Sequence, residues 1–379
     1  MKRRVTMIVV SGVLTVIALL FLLMPTYLSE ALVHWYPDIS QTYIFYSDTV
    51  KASSDCWEWK QSPDYNRYTL SDEDDEYLDK YKTVAFLVIQ NDSVIHEEYR
   101  DNWEAERLSN LFSASKSIVS ILAGIALDEG YIKSLDDKVS VYLPEFVDGD
   151  KITVRNLLTM SSGLNWEESY TSPFSTTAQA YYGDNIRELI MGLRVVTPSG
   201  EQYSYKSGDT QLLSFVIEAA VGKTLSRYAQ EKLTQPMQFC TDALWNLDRK
   251  GGDEKTYCCF NTTARDFARF GRLILNHGNW NGTQIVSESY IDEAITPASY
   301  LRNEFNDGQL DYYGFQIWII HYKGMTFPMF KGLDGQYLFI LPEQNAIIVR
   351  LGHERSNIHE RENTIDMLPY LDIALKMLK

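Results

Sequence analysis

The sequence predicts an α/β (α+β) fold in which an antiparallel sheet, built from both ends of the chain, is flanked by helices and joined to a mostly helical lobe. Two observations support this prediction. Segments with strand-like composition cluster at residues 81–100 and 314–352, whereas residues from about 110 to 290 have mostly helical patterns. Because strands connected by short turns pair antiparallel, both groups fit one sheet, with a cleft between the sheet and the helical lobe.

The composition is that of a globular protein with an acidic balance of charge. The chain has 379 residues, of which 45% are hydrophobic and 23% are charged, so it can bury a large core. The formal net charge of -16 leaves no basic stripe that could neutralise phosphates. Nucleic acid is therefore a poor candidate partner, and a small-molecule substrate is favoured.

The N-terminus has the features of an export or anchoring segment. Residues 2–4 are basic and precede an uncharged run, 5–24, which as a helix is long enough to cross the roughly 30 Å hydrocarbon layer. The residues that follow, PTYLSE, lack the small-residue pattern of a signal-peptidase site. This favours an uncleaved transmembrane signal-anchor over a cleaved signal peptide.

Basic residues flanking a membrane segment stay on the cytoplasmic side. Residues 1–4 are therefore expected to form a short cytoplasmic tail, with the protein spanning the inner (cell) membrane once and its folded domain lying outside the cytoplasm. The alternative is a periplasmic or secreted protein, released after signal cleavage.

The folded part of the chain divides into an extension and a main domain. Residues 25–70 are rich in aromatics, lack clear periodicity, and are expected to pack on the domain or to lie near the membrane. Residues 71–379 form the main domain. It begins with the acidic run Ser71 to Lys80, whose carboxylates favour a helix N-terminus with a solvated face.

The strand and turn patterns then follow in order. The segments YKTVAFLVIQ and SVIHEEYR flank a predicted hairpin turn at Asn91 and Asp92. Near the C-terminus, residues 342–345 form a second turn, and the last residues form an amphipathic helix. The segments in that region are GFQIWII, GQYLFILP, AIIVRLG and NTIDMLPYLDIALKMLK.

Cysteine and histidine usage indicates no metal site. The four cysteines are irregularly spaced, which favours either buried free thiols or a single pairing of Cys240 with Cys258 or Cys259. The six histidines show no close ligand spacing. No metal or other cofactor is expected.

The segment NLFSASKSIVSILAGIALDEG, residues 110–130, predicts a buried helix that ends at Gly130. Ser113 and Lys116 are three residues apart and therefore share a face at its first turn. The pair is open to two interpretations: a helix N-cap with a lysine whose charge reaches solvent, or a nucleophile beside a desolvated base. The segment's other serines are expected to serve only in helix packing.

Several longer blocks together resemble a known family. The blocks FSASKSIVSILAGIALDEGYIKSLDDKVSVYLPEF, KITVRNLLTMSSGLNWEESY, PSGEQYSYKSGDTQLLSFVIEAAVGKTL and KGLDGQYLFILPEQNAIIVRLG follow one another in order. This succession resembles the serine hydrolases of the β-lactamase class C and penicillin-binding-protein superfamily. Within it, the chain is most similar to 6-aminohexanoate-dimer hydrolases and class C-like esterases.

The resemblance implies roles for individual residues. Its S-x-x-K motif assigns Ser113 as nucleophile and Lys116 as base. Its second motif falls on YKSGD, with Tyr205 as proton relay and Ser207 two residues later; Tyr203 is a nearby alternative.

The third motif and one further contact are also implied by the family. In this sequence FKGLDGQ stands where the family has K-T-G or H-x-G, and Gly332 corresponds to the motif's glycine. The resemblance implies that the backbone N–H groups of Leu333 and Ser113 together donate hydrogen bonds to the oxyanion. Lys331 is either part of the site or a surface charge. Tyr170 matches a substrate-contacting tyrosine of the dimer hydrolases, in a loop, 167–179, that is expected to be mobile.

The family resemblance implies an ester or amide hydrolase that needs no cofactor and works through an acyl-enzyme on Ser113. Two alternatives stay open. One is a D-alanyl-D-alanine carboxypeptidase or β-lactamase, although Leu333 supplies no hydroxyl for a substrate carboxylate. The other is an anchored penicillin-binding sensor that is acylated without turnover.

Overall fold

The structure is a computed structural model that describes residues 6, 10–12, 15, 23–34 and 36–379. The predicted tail, 1–4, and most of the predicted anchor, 5–24, lie outside the described residues. Within the described part of the chain, no helix is both long enough and apolar enough to span a membrane. The anchor stays a prediction.

The strands belong to two larger sheets and two short ribbons. They are β1 (Ser47–Val50), β2 (Lys60–Gln61), β3 (Thr83–Gln90), β4 (Ser93–Tyr99), β5 (Ser109–Asn110), β6 (Ala243–Asn246), β7 (Phe260–Thr262), β8 (Asn279–Trp280), β9 (Thr283–Gln284), β10 (Trp318–Tyr322), β11 (Met325–Gly332), β12 (Gln336–Leu341), β13 (Ala346–Gly352), β14 (His359–Glu360) and β15 (Asn363–Thr364).

The α-helices include a short one before β1 and a series between β5 and β10. They are α1 (Thr26–His34), α2 (Asp72–Lys80), α3 (Ser115–Asp128), α4 (Val154–Leu158), α5 (Thr176–Tyr182), α6 (Ile186–Met191), α7 (Ser207–Val221), α8 (Leu225–Ala229), α9 (Ala264–Leu275), α10 (Glu288–Ala294) and α11 (Met367–Leu375). Ser71 caps α2, as the acidic run predicted, because its side chain accepts the Asp74 N–H.

The main sheet joins the two ends of the chain, as predicted. Its strand order is β10-β11-β12-β13-β3-β4-β2, and the central pairing places Ile348 of β13 opposite Val88 of β3. Asn91 and Asp92 form the predicted hairpin turn, with φ angles of 51° and 58°. The strand patterns did not include β11, because Pro328 lacks an N–H donor and weakens the signal.

One pairing departs from the predicted antiparallel sheet. The short strand β2 pairs parallel with β4, so the sheet is mixed. The reason is that β2 belongs to the extension and reaches β4 only after the chain has passed through α2 and β3. No hairpin therefore fixes its direction.

Hydrophobic cores lie on both faces of the main sheet. Alternate residues of β3 point in opposite directions: Leu87 and Ile89 join the larger core with α3, whereas Phe86 and Val88 join a second core with α11. Helices α3 and α7 pack together in the helical lobe. The C-terminal end of β11 meets the turn Phe112–Ala114 that precedes α3, and this junction forms the predicted cleft.

The extension is an integral part of the fold. Strand β1 pairs antiparallel with β6 in the smaller sheet, whose order is β1-β6-β7-β5. Helix α1 packs on α5, with the His34 and Tyr182 rings stacked at 6.3 Å between centroids. Residues 25–70 therefore contact both sheets and the helical lobe.

The cysteine prediction was wrong. All four cysteines are in disulfides, Cys56 with Cys240 and Cys258 with the adjacent Cys259. Cys240 lies beside Cys56 because backbone hydrogen bonds join the segments that carry the two cysteines. The Ser53 N–H donates to Phe239 O at 3.1 Å, and the Trp57 N–H donates to Gln238 O at 3.0 Å. Sequence spacing gives no information on this contact between the extension and the main domain.

Removing the Cys56–Cys240 disulfide should destabilise the protein by about 2–5 kcal/mol, because the bond closes a long loop of the unfolded chain. The bridge joins residues 184 positions apart. The measurement is urea unfolding of the full chain against the Cys56→Ala/Cys240→Ala variant, both kept oxidised. An unchanged unfolding midpoint, or free Cys56 and Cys240 thiols in the folded wild type, would contradict the assignment.

Candidate active site

Ser113 lies in a tight turn between the smaller sheet and α3. The turn, Phe112–Ala114, follows β5 directly, and Asn110 Oδ1 accepts the Phe112 N–H at 2.9 Å. Phe112 is buried and has a left-handed φ of 45°, which is unusual for a bulky residue and is typical of functional sites. Ser113 is not a helix N-cap, since Ala114 occupies that position.

The other serines of this segment have structural partners. Ser115 Oγ accepts the Phe260 N–H at 3.2 Å, and Ser117 Oγ donates to Gln316 O at 2.6 Å. Ser120 Oγ lies 3.2 Å from the Tyr290 hydroxyl. All three are buried packing residues, as predicted, whereas Ser113 lines a cavity.

Lys116 is buried beside Ser113. Its Nζ donates to Ser113 Oγ at 2.9 Å and to Tyr257 O at 2.8 Å, and the residue is only 1% exposed. Burial lowers the Lys116 pKa to about 8, partly opposed by the carboxylate of Glu168. The interpretation of a lysine reaching solvent is therefore wrong.

Tyr205, and not Tyr203, adjoins the serine and lysine. The Tyr205 ring centroid lies 5.1 Å from Lys116 Nζ, and the Tyr205 hydroxyl interacts with the Ser113 side chain. Burial and the charge of Glu168 raise the Tyr205 pKa above its ordinary value, and the interaction with Ser113 opposes this effect. Tyr203 is fully buried in the second core against Tyr313, with ring centroids 4.9 Å apart.

Glu168 is a central residue of the site that the sequence analysis missed. Its carboxylate accepts hydrogen bonds from Trp166 Nε1 at 2.7 Å, from Ser207 N–H at 2.7 Å and from Ser207 Oγ at 2.8 Å. The Tyr170 hydroxyl also donates to it. Ser207 therefore serves to hold this carboxylate at the start of α7. The only sequence signal was the position of Glu168 two residues before Tyr170.

Gly332 brings the end of β11 against the serine turn. A Cβ atom at this position would lie 2.2 Å from Leu111 O, a distance that no side chain can tolerate. The next residue, Leu333, lines the same cavity as Ser113. Gln336 Nε2 donates to Leu333 O at 3.0 Å and to Gly352 O at 2.7 Å, which anchors this turn to β13.

Lys331 is neither a surface charge nor part of the cavity. It is 8% exposed, and its Nζ lies 3.4 Å from the centroid of the Trp318 ring and donates to Glu362 O at 2.8 Å. Burial lowers its pKa to about 7. The Trp318 ring in turn packs on Tyr205, with centroids 5.6 Å apart. Lys331 thus supports Tyr205 through Trp318.

A cavity of about 280 Å³ opens at Ser113. Of the predicted residues, Ser113, Tyr170, Ser207 and Leu333 line it. Tyr170 is 38% exposed at this surface, and its contact with substrate stays a prediction. The loop that carries it is held by Ser175 Oγ, which donates to Ser169 O at 2.8 Å and Ser172 O at 2.9 Å.

Two groups of side chains in the described part of the chain lie close enough to share a cation. They are Cys56, Glu58 and Cys240, and His277, Glu288 and Asp292. The cysteines of the first group are joined in a disulfide and offer no thiolate. The second group is exposed on the surface. Neither group contains a residue that lines the cavity.

Comparisons with known proteins identify the family of the chain. The profile of the Beta-lactamase family matches residues 74–366. The 6-aminohexanoate-dimer hydrolase of Paenarthrobacter ureafaciens is 28% identical over 306 residues, which cover 73% of this chain and 74% of that protein.

Solved structures share the fold. A Bacillus anthracis protein assigned as a 6-aminohexanoate-dimer hydrolase superposes with a TM-score of 0.79 at 22% identity, covering 93% of this chain and 97% of the other. A family VIII carboxylesterase superposes with a TM-score of 0.64 at 15% identity, covering 85% of this chain and 99% of the other. These comparisons confirm the resemblance found in the sequence. The chain belongs to the Beta-lactamase family and is a serine hydrolase of that family.

Proposed function

We propose that the protein hydrolyses an ester or amide bond through an acyl-enzyme on Ser113. The observation that carries this proposal is the contact of 2.9 Å between Lys116 Nζ and Ser113 Oγ, made by a buried lysine whose pKa is lowered to about 8. A base with such a pKa is partly neutral near pH 7 and can accept a hydroxyl proton.

In the first step, Ser113 Oγ attacks the substrate carbonyl carbon while its proton moves to neutral Lys116. The π-electrons of the carbonyl bond move onto its oxygen, which becomes an oxyanion. The backbone N–H groups of Ser113 and Leu333 are the proposed hydrogen-bond donors to this oxyanion. The intermediate then collapses, the bond to the leaving group breaks, and the leaving oxygen or nitrogen receives the proton.

Tyr205 is the proposed relay for that proton. Its raised pKa keeps the phenol protonated at neutral pH, so it does not act as a base by itself. It donates its own proton to the leaving group while receiving one from Lys116. Water then attacks the acyl-enzyme by the same route in reverse, releasing the acid and restoring Ser113.

Small esters and linear amides are the proposed substrates. The relative named for the 6-aminohexanoate dimer supports a linear amide. The carboxypeptidase and β-lactamase alternatives have less support, because Leu333 offers no hydroxyl and Lys331 binds Trp318 and the Glu362 carbonyl. We retain Tyr170 as a substrate-contacting residue.

For the cellular location, we propose a single-pass protein of the inner membrane with its catalytic domain outside the cytoplasm. The basic residues 2–4 followed by the uncharged run 5–24 support this proposal. The two disulfides add support, because such bonds persist in oxidising compartments.

Ser113→Ala should abolish fluorophosphonate labelling and lower kcat on p-nitrophenyl esters and linear amide dimers by about 10³-fold or more, because the nucleophile is lost. The matched control is Ser115→Ala, which removes a packing hydroxyl two residues away and should still label. Equal labelling of Ser113→Ala and wild type would refute the nucleophile. Stable labelling of the wild type without turnover of any substrate, nitrocefin included, would identify a sensor.

The pH profile should follow Lys116. Because the neutral form is reactive and the pKa is about 8, kcat/KM should rise about tenfold between pH 7 and 9. Glu168→Gln should move this midpoint to lower pH, since the carboxylate raises the Lys116 pKa. The control is Glu167→Gln, an exposed neighbour. A flat profile, or equal midpoints for wild type and Glu168→Gln, would contradict the assignment of Lys116 as base.

Tyr205→Phe should lower kcat by about 10²-fold or more while leaving thermal unfolding almost unchanged, because only the relay hydroxyl is removed. Tyr203→Phe is the control, since its hydroxyl lies in the second core away from Ser113. Steady-state kinetics on amide substrates gives the comparison. If Tyr203→Phe were the slower enzyme, the relay would have been assigned to the wrong tyrosine.

A further inference from the structure

We propose that the N-terminal extension forms one wall of the acyl-binding pocket, and that this wall selects substrates with a small apolar acyl group. This inference rests on the proposed function of Ser113. Three residues of the extension, Ala31, Tyr36 and Pro37, line the same cavity as Ser113. The opposite walls come from the helical lobe and from the turn that contains Leu333.

The extension is fixed at both ends of this wall. Upstream, α1 packs on α5, where Ala31 is only 3% exposed and His34 stacks on Tyr182. Downstream, Asp38 pairs with His353 Nδ1 at 2.6 Å. Ile39 O accepts the Asn110 N–H at 3.2 Å, three residues before the nucleophile. The wall is therefore tied directly to the turn that presents Ser113.

Tyr36 links the extension to the proposed oxyanion turn. It is 41% exposed and lies at the cavity surface, and burial together with the charge of Asp334, the residue after Leu333, raises the pKa of its phenol to about 12. Asp334 is 3% exposed and has a left-handed φ of 57°, so the turn around it is tightly held. Tyr36 thus closes the cavity on the side of the extension.

The lining indicates an apolar ligand. Besides Ser113, the cavity is lined mainly by aromatic and small apolar side chains, including Phe112, Tyr181 and Ala178. No lysine, arginine, aspartate or glutamate is among the described residues that line it. A charged acyl group, such as one that ends in an ammonium, would lose its hydration there without gaining a counter-ion, so uncharged linear amides should be better substrates than charged amide dimers.

The cavity lies on the acyl side of the scissile bond. The leaving group must be near Tyr205 to receive a proton, yet the cavity lining includes Ser113 and Leu333 and does not include Tyr205. The acyl carbons beyond the carbonyl therefore enter the cavity. Its volume of about 280 Å³ has room for about nine groups of the size of a water molecule or a methylene.

The test measures kcat/KM of the full-length protein on p-nitrophenyl esters from acetyl to dodecanoyl. For the wild type, kcat/KM should rise about fourfold per methylene up to about hexanoyl or octanoyl and then fall. Ala31→Leu extends a side chain into the cavity and should lower the ratio of hexanoyl to acetyl kcat/KM at least tenfold. Tyr36→Ala, which opens the cavity, should raise the ratio of dodecanoyl to hexanoyl kcat/KM.

The control is Val33→Leu, which adds bulk at a position 63% exposed on the same helix and should leave the chain-length profile unchanged. Fluorophosphonate labelling reports that Ser113 is intact in each variant, and Tyr36→Ala tests the wall independently if Ala31→Leu fails to fold. In a second series, the acyl group is always acetyl and the alcohol chain is lengthened. The dependence of kcat/KM on alcohol length should be the same in the wild type and in the variants.

Two outcomes would overturn the inference. One is an unchanged acyl-length profile in both pocket variants while turnover still depends on Ser113. The other is a response confined to the alcohol series, which would place the cavity on the leaving-group side. Absence of any Ser113-dependent turnover in the wild type would instead refute the proposed function itself, so the two failures are distinguishable.

Discussion

The removal of Lys116 from water is the constraint on which the rest of the site depends. A hydrated lysine stays protonated near pH 7 and could only donate to Ser113. Lowering its pKa from 10.5 to about 8 corresponds to about 3 kcal/mol against the charged form. The surrounding fold stabilises this buried amine through hydrogen bonds to Ser113 Oγ and to the Tyr257 carbonyl, and through the charge of the Glu168 carboxylate.

The main sheet and the helical lobe meet around that lysine. The turn Phe112–Ala114 and the first residues of α3 carry Ser113 and Lys116 from the first half of the chain, and the end of β11 brings Leu333 from the last quarter. Gly332 allows the two to meet, since its missing side chain lets the strand approach Leu111 O. Trp318, held by Lys331, then supports Tyr205 from the sheet side. The proposed donors and acceptors of protons are thus fixed by packing, as preorganised catalysis requires.

The extension connects this machinery to the N-terminal segment of the chain. Its strand β2 completes the main sheet, its Cys56 is bridged to Cys240, and its helix α1 forms a wall of the cavity at Ser113. An unbridged or displaced extension would therefore alter both stability and the shape of the cavity. The aromatic composition of residues 25–70 suggested packing on the domain, and Trp57 of the extension packs on Trp280 with ring centroids 5.3 Å apart.

The sequence by itself determined the sheet from both chain ends, the hairpin at Asn91 and Asp92, and the pairing of Ser113 with Lys116, because these depend on local patterns and on motifs in a fixed order. Tertiary structure decided what local patterns cannot encode. The choice of Tyr205 over Tyr203, the position of Glu168 and the partner of Cys240 each arise from contacts between distant segments. Side-chain burial and long-range proximity set those contacts, and neither is a property of neighbouring residues along the chain.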